Sequence, residues 1–355
     1  MIKPRKAVLE MEAYAPPTSG RFGYLRLDFN ENTAGCSPGV LSVLKNIKPW
    51  MLASYPEYSK LRKKIAVYCG VDASEVLPAN GTDEAIKTVI EIFIERNADE
   101  IIIPVPTYAM FKFYAQLNQA VIKEIKYDDD LSFPVSSVFE SINKKTKIII
   151  LVNPNNPTGT AIGENDIIKI IKKAKNCSAL VVIDEAYYQF YGRTAIPLIK
   201  KYNNLIIIQT FSKAFGLAGL RCGYIISNKN NIKIIQKALS PYSVNIAAAI
   251  CACAALNDIE YVNNYAEEVK KSRTLLCQAL DGLGIKYYKS DANFILLKIG
   301  SKTSEFCAGL RKKGILIRNR DNDNLLRGCV RITLGTMRQT KLLIKKITEV
   351  KNEGF

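Results

Sequence analysis

Two hydrophobic patterns alternate along the chain from about residue 55 onward. One is a short run of consecutive Ile, Val and Leu residues, which is typical of a strand buried on both faces. The other places apolar residues three or four positions apart, as in an amphipathic helix, and residues 80–82 are expected to cap the first of these helices. The pattern predicts strands at 100–106, 120–125, 146–154, 179–187 and 205–213, and helices at 82–94, 108–117 and 164–175.

Strands that alternate with helices indicate βαβ units, so we predict an α/β fold with a doubly wound, mostly parallel sheet. After about residue 262 the pattern changes to a long charged helix, several short strands and a basic terminal helix, which predicts a smaller α+β domain. The predicted organisation is an N-terminal arm at 1–48 that joins the small domain, a large domain at 49–261, and the small domain at 262–355.

The composition removes several classes of function. The 355 residues include no histidine, which excludes Ser-His and Cys-His nucleophiles and the common histidine-bearing zinc sites, and we predict no metal site. General acid and base chemistry is left to Lys, Tyr, Asp, Glu or Cys. The formal net charge of +17 comes from short, scattered basic blocks. A cationic surface of this kind suits a small anionic substrate. A nucleic-acid-binding protein is the alternative, but no aromatic residues interleave with a basic stripe.

Cysteine usage and hydropathy bear on the compartment. The nine cysteines are an odd count with no C-x-x-C pair, which indicates reduced thiols. The N-terminus lacks the apolar segment of a secretion signal. The longest apolar stretch, 246–256, is shorter than the roughly 20 residues that span a bilayer. We therefore expect a cytoplasmic protein with no membrane partner.

Polar clusters follow three of the predicted strands, at 153–159, 184–187 and 210–213. Ligands of doubly wound sheets bind beyond the carboxyl ends of the strands, so we expect these clusters to meet. Lys213 is either an ordinary exposed lysine or, if desolvated near other cations, an amine able to form a Schiff base. The cluster at 153–159 is either a plain turn or a loop whose amide side chain binds a ligand oxygen.

Some residues near these clusters suit an anionic ligand group, and others suit a cationic one. Ser212 and Arg221 could hold a phosphate through a hydroxyl and a charged fork, and the free N–H groups that open the helix near Thr82 form an anion site. Asp184 ends an apolar strand, where an unpaired carboxylate is costly to bury, so it implies a cationic partner. Tyr187 lies three residues further on and could reach the same ligand.

Taken together, these segments resemble the pyridoxal-phosphate (PLP) aminotransferases of fold type I, class I/II. The order is a glycine that opens a helix, then N-P-T-G, then D-x-x-Y, then S-K with a downstream arginine. Within that family the chain is most similar to the histidinol-phosphate aminotransferase branch. The matching segments are LDFNEN (27–32), YPE (55–57), ANGTDEAI (79–86), VPTYAMF (105–111), FSKAFGLAGLRCGY (211–224) and GILIR…CVRITLG (314–335).

The resemblance implies a role for each matching residue. Lys213 would bind the cofactor covalently and later move the substrate proton, and Asp184 would pair with the pyridinium nitrogen. Asn156 and Tyr187 would hydrogen-bond the 3′-oxygen of the ring, and Tyr108 would stack on its face. The phosphate would be held by Ser212, Arg221, the backbone amides of Thr82 and Asp83, and Tyr55 from the partner subunit of a homodimer. The substrate would be bound by Arg318, Arg331, Asn156 and Tyr14.

The function that the resemblance implies is amino transfer between L-histidinol phosphate and 2-oxoglutarate, in histidine biosynthesis. The alternative is a related PLP enzyme that acts on another amino-phosphate or an aromatic amino acid, as a transaminase or a phospho-amino-acid decarboxylase. The chain departs from the family pattern at 30–38, which reads NENTAGCSP, and at Thr82, where alanine is common. Threonine at position 82 keeps the backbone amide, so cofactor binding is expected to be retained. The changed segment at 30–38 lies near where the substrate is expected to enter, so the identity of the amino donor is left open.

Overall fold

The computed structural model describes residues 2–13 and 19–354. The strands are β1 Leu25–Leu27, β2 Val76–Ala79, β3 Glu100–Val105, β4 Val121–Lys126, β5 Thr146–Val152, β6 Leu180–Asp184, β7 Leu205–Thr210, β8 Gly223–Ser227, β9 Lys286–Tyr288, β10 Phe294–Lys298, β11 Ile315–Asn319 and β12 Cys329–Thr333. The α-helices are α1 Lys6–Leu9, α2 Pro38–Lys45, α3 Pro49–Leu52, α4 Ser59–Cys69, α5 Gly81–Phe93, α6 Ala109–Leu117, α7 Val135–Ser141, α8 Glu164–Asn176, α9 Tyr188–Tyr191, α10 Lys229–Gln236, α11 Ile246–Ala255, α12 Ile259–Gly282, α13 Thr303–Lys312 and α14 Met337–Asn352.

The larger sheet has seven strands in the order β2-β8-β7-β6-β5-β3-β4. The pairs from β7 to β4 are parallel, and β8 runs antiparallel to both β7 and β2. This arrangement confirms the predicted α/β class. Every residue of β6 and β7 is buried, as the uninterrupted apolar runs predict. All of β8, which those runs do not predict, is buried as well, and the edge strand β4 is partly exposed.

Alternate residues of the central strands feed two separate cores, one on each face of the larger sheet. On β5, Ile149 and Leu151 pack with the Ile residues of α8, whereas Ile148 and Ile150 pack with α5. Successive side chains of a strand point to opposite faces, so a strand covered by helices on both sides is apolar at every position. The sheet is therefore packed against helices on both faces, and its carboxyl edge positions the residues that follow the strands.

The smaller sheet has the order β1-β11-β12-β10-β9. The N-terminal β1 pairs in parallel with β11, so residues that precede the large sheet in the chain contribute a strand to the smaller one. The predicted boundary between residues 261 and 262 falls inside α12, which begins at Ile259. All of β12 is buried, because it lies between β11 and β10 and one face meets residues 28–30.

Across the described residues, no single helix is long and apolar enough to cross a membrane. Helices α11 and α12 meet that criterion only as a pair, and the pair is bent by 76°.

Candidate active site

A cavity of about 530 Å³ lies at the carboxyl edge of the larger sheet, beside β11 and β12 of the smaller one. It brings together most of the residues that the sequence singles out. The lining includes Thr82, Asp83, Tyr108, Asn156, Asp184, Tyr187, Ser212, Lys213, Arg221, Arg318 and Arg331. The strand-end clusters therefore meet at one place, as expected for a doubly wound sheet.

Lys213 follows β7 and its side chain points into this cavity, which rules out an ordinary exposed lysine. Its Nζ donates a hydrogen bond to the carbonyl of Phe29, at 3.0 Å. Burial and, to a smaller extent, the nearby guanidinium of Arg331 lower the pKa of the amine to about 8. An amine in this environment is partly unprotonated near neutral pH, which is the form that acts as a nucleophile or base.

Asp184 ends β6 and is 3% exposed. Its Oδ1 accepts a hydrogen bond from the backbone N–H of Ala186 at 2.9 Å. Burial and, to a smaller extent, the nearby carboxyls of Asp83 and Glu185 raise the pKa of this carboxyl to about 7. Among the described residues it forms no ion pair within 4 Å. A cationic ligand group would satisfy it.

Helix α5 opens at one wall of the cavity. Asn80 was expected to cap it, but its side chain makes no capping hydrogen bond; its backbone N–H instead donates to Oε2 of Glu84 at 2.6 Å. Gly81 has φ +74°, and a Cβ there would lie 2.6 Å from Nη2 of Arg221. The glycine therefore lets this guanidinium approach the helix N-terminus, a favourable place for an anion.

Asp83 organises the polar groups around that helix start. Its Oδ2 pairs with Nη2 of Arg221 at 2.9 Å, and its Oδ1 accepts a hydrogen bond from the hydroxyl of Tyr108 at 2.8 Å. Arg221 has the left-handed backbone conformation, with φ +54°. One carboxylate thus fixes both an arginine at the anion end and an aromatic ring over the cavity.

Arg331 lies on the buried strand β12 and is 7% exposed. Its Nη1 donates to Oδ1 of Asn156 at 2.6 Å, and its Nη2 donates to the carbonyl of Asp28 at 2.7 Å. Thr333, two positions on, faces the same way, and its hydroxyl accepts the N–H of Asn30 at 2.9 Å. Arg331 and Thr333 therefore lie on the same face of β12, the face that meets residues 28–30.

Some residues of the site carry no signal of their own in the sequence. Asn30 has φ +56°, and its Nδ2 donates to the hydroxyl of Tyr187 at 3.0 Å. Arg320 and Phe29 also line the cavity. Buried Glu185 accepts hydrogen bonds from the Thr194 hydroxyl at 2.6 Å and from Nε2 of Gln209 at 2.7 Å, so it supports the floor of the site. Phe29 and Asn30 lie in the LDFNEN motif and Glu185 lies in the cluster at 184–187, so the sequence marks these positions without showing a role for each residue.

One predicted residue lies away from the cavity, and another lies outside the described part of the chain. Tyr55 is 80% exposed on the surface, and its ring stacks on Tyr242 with centroids 4.5 Å apart. Tyr14 lies outside the described residues.

Comparison with known proteins agrees with this geometry. The family model for class I and II aminotransferases matches residues 24–347, and the chain belongs to that family. It is 38% identical to a histidinol-phosphate aminotransferase of Thermoanaerobacter sp. strain X514 over 87% of this chain and 88% of that protein.

Solved structures give the same result. The histidinol-phosphate aminotransferase of Clostridium acetobutylicum superposes with a TM-score of 0.84 at 26% identity, covering 93% of this chain and 99% of that one. The enzyme of the same name from Sinorhizobium meliloti, solved with pyridoxal-5′-phosphate, has a TM-score of 0.87 at 22% identity, with 99% and 98% covered. The latter shows that the fold is shared.

Proposed function

We propose that the protein is a PLP-dependent aminotransferase that transfers an amino group between L-histidinol phosphate and 2-oxoglutarate, in histidine biosynthesis. The observation that carries the proposal is a single cavity with a desolvated lysine and a buried carboxyl at the sheet edge and arginines opposite them. The similar proteins that bear the histidinol-phosphate aminotransferase name support the substrate.

The residues of the cavity fit PLP. Asp184 is a buried carboxyl in need of a cation, which the protonated ring nitrogen supplies. The start of α5, Ser212 and Arg221 suit the phosphate, and the close approach at Gly81 keeps that end compact. When bound, the ring supplies the electron sink for the bond broken at the substrate Cα.

In this mechanism Lys213 is the mobile base. Because its pKa is lowered to about 8, Nζ can accept the proton from the substrate Cα near neutral pH and then return one. Asp184 would keep the ring nitrogen protonated. Asn156 and Tyr187 would donate hydrogen bonds to the 3′-oxygen. Each is held in place by another side chain, Asn156 by Arg331 and Tyr187 by Asn30.

Arg318 and Arg331 would bind the anionic end of both substrates, the carboxylate of glutamate in one half-reaction and the phosphate in the other. A guanidinium fork matches either anion, because both present two oxygens in a plane. The ring of Phe29 lies 5.6 Å from Cζ of Arg318, which limits where this side chain can move.

The proposal includes a homodimer in the cytoplasm. Tyr55 lies on the surface and away from the cavity of its own chain, so in this proposal it reaches the phosphate of the partner subunit. Exposed Trp50 and Leu52, at 68% and 63%, lie close by in the chain and are apolar enough for an interface.

A panel of amino donors tests the substrate. The PLP-loaded enzyme is mixed in single turnovers with glutamate, histidinol phosphate, phenylalanine or phosphoserine, and the loss of the lysine-bound cofactor absorbance is followed. We expect glutamate and histidinol phosphate to react fastest. Faster reaction with phosphoserine, or release of carbon dioxide with the absorbance retained, would identify one of the alternative enzymes instead.

A further inference from the structure

Three consecutive residues, 28–30, contact three of the main groups of the cavity. The carbonyl of Asp28 accepts from Nη2 of Arg331 at 2.7 Å, and the carbonyl of Phe29 accepts from Nζ of Lys213 at 3.0 Å. The side-chain amide of Asn30 donates from Nδ2 to the hydroxyl of Tyr187 at 3.0 Å. The position of this segment therefore sets the positions of groups that act on both cofactor and substrate.

Arg21 contacts the side chains of Asp28 and Phe29 in the same segment. Its Nη2 and Nε donate to the two carboxylate oxygens of Asp28 at 2.7 and 2.9 Å. Its Nη2 also reaches Oε2 of Glu31 at 2.7 Å. The guanidinium carbon lies 4.2 Å from the centroid of the Phe29 ring, within range of a cation–π contact. One side chain thus contacts residues at both ends and in the middle of this stretch.

These contacts are better protected from water than an ordinary surface ion pair. The side chains of Arg21 and Asp28 are 12% and 7% exposed. A bidentate pair with this little exposure keeps its geometry, because neither partner has water as an equal alternative. Arg26 offers a contrast on the same stretch, since it pairs with Glu31 at 3.6 Å and its side chain is 52% exposed.

We propose that Arg21 is a positioning residue of the active site, which fixes residues 28–30 so that Lys213, Arg331 and Tyr187 keep their working geometry. Arg21 does not line the cavity and touches no reacting group. Its effect passes through the two carbonyls and the amide of the segment. The role rests on the proposed transaminase function, and it extends that function to a residue outside the cavity.

The test compares Arg21→Met with Arg26→Met in the PLP-loaded enzyme. Displacing a catalytic group by about 1 Å can cost about 100-fold, so Arg21→Met should lower kcat/KM about 10- to 100-fold for glutamate and for histidinol phosphate alike. Arg26→Met, which breaks an exposed pair, should stay within about threefold of the unsubstituted enzyme. Arg21→Lys keeps the positive charge but loses the bidentate guanidinium, so its kcat/KM should lie between those of Arg21→Met and Arg26→Met. This variant also provides the test if Arg21→Met does not fold.

A second readout does not depend on the amino donor. The pH dependence of the absorbance of the lysine-bound cofactor reports the electrostatics at Lys213. Burial, Arg331 and Arg221 lower the pKa of the free Lys213 amine, and Glu31 and Asp184 raise it. Removing Arg21 leaves the charge of Glu31 less compensated, so the midpoint should move upward in Arg21→Met and much less in Arg26→Met.

A double-variant cycle separates positioning from general destabilisation. If Arg21 acts through Asp28, Asp28→Asn combined with Arg21→Met should be hardly worse than Arg21→Met alone. Equal losses in the Arg21 and Arg26 variants, additive losses in the double variant, or an unmoved pH midpoint would overturn the proposal. An unsubstituted enzyme that binds PLP but transfers no amino group would overturn the proposed function, and the pH comparison would still decide the role of Arg21.

Discussion

Replacing Arg331 with lysine is the most demanding test of how the cavity binds anions. The guanidinium donates from Nη1 to Asn156 and from Nη2 to the carbonyl of Asp28, so its two terminal nitrogens are held in one plane. A lysine keeps the positive charge but has a single nitrogen, and it cannot span both acceptors and also meet a substrate anion. Arg331→Lys therefore removes the fork while leaving the charge in the site.

The expected loss follows from the bonds that disappear. A hydrogen bond to a charged group contributes about 1.5–3 kcal/mol, and each 1.36 kcal/mol is a factor of about ten in rate. Arg331→Lys should thus lower kcat/KM about 10- to 100-fold, both for glutamate and for the phosphorylated partner. Single-turnover absorbance changes measured for each half-reaction separately give both numbers.

The control is Arg327→Lys, because Arg327 is exposed, does not line the cavity, and donates from Nη2 to Oδ1 of Asn324 at 3.0 Å. It should leave both rates within about twofold, as expected of an exposed position. If Arg331→Lys changes neither half-reaction, Arg331 only joins the sheet to residues 28–30, and Arg318 becomes the principal anion ligand. A loss in one half-reaction alone would mean that the two anions bind at different places.

Three further predictions concern the cofactor end and the scaffold. Lys213→Ala should abolish turnover while the protein stays folded and binds PLP non-covalently; turnover within about tenfold of the unsubstituted enzyme would contradict the assignment. Asp184→Asn should lower the chemical step strongly yet stabilise the cofactor-free chain at pH 8. The folded-state pKa of Asp184 is raised from 3.8 to about 7, so its ionisation makes the unsubstituted chain less stable as pH rises through this range. Thermal unfolding at pH 5 and pH 8 checks the sign, and equal pH dependence in both proteins would refute it. Gly216→Ala should destabilise the fold by about 1–3 kcal/mol, because the residue has φ +73° and its Cβ would lie 2.5 Å from the carbonyl oxygen of Gly35. Gly219→Ala, with no atom near its Cβ, should be close to neutral in the same unfolding measurement.

The sequence predicts the larger sheet well because each central strand is buried from both sides. The predicted strands at 146–154 and 205–213 correspond to β5 and β7, which end at Val152 and Thr210. The polar residues that follow these two strands reach the cavity. Helix starts are harder to predict, as Asn80 illustrates. A capping residue type marks where a helix can begin, but the partner of the first free N–H groups depends on contacts that local sequence does not contain.

The residues of the site also differ in how well the sequence predicts them. Side chains whose type limits their chemistry, such as Lys213 and Asp184, stand out in the sequence because a charge at the end of an apolar strand is unusual. The LDFNEN motif marks residues 28–30 but does not show what they contact, because the contacts with Lys213 and Arg331 are made by backbone carbonyls, which every residue has. Arg21 is one of fifty cationic residues, and only its bidentate contact with a buried carboxylate separates it from the rest. Function in this cavity therefore depends on a backbone segment whose position is set by charges outside the cavity, so substitutions at 21 and 28 should be read as changes to the active site although neither side chain lines it.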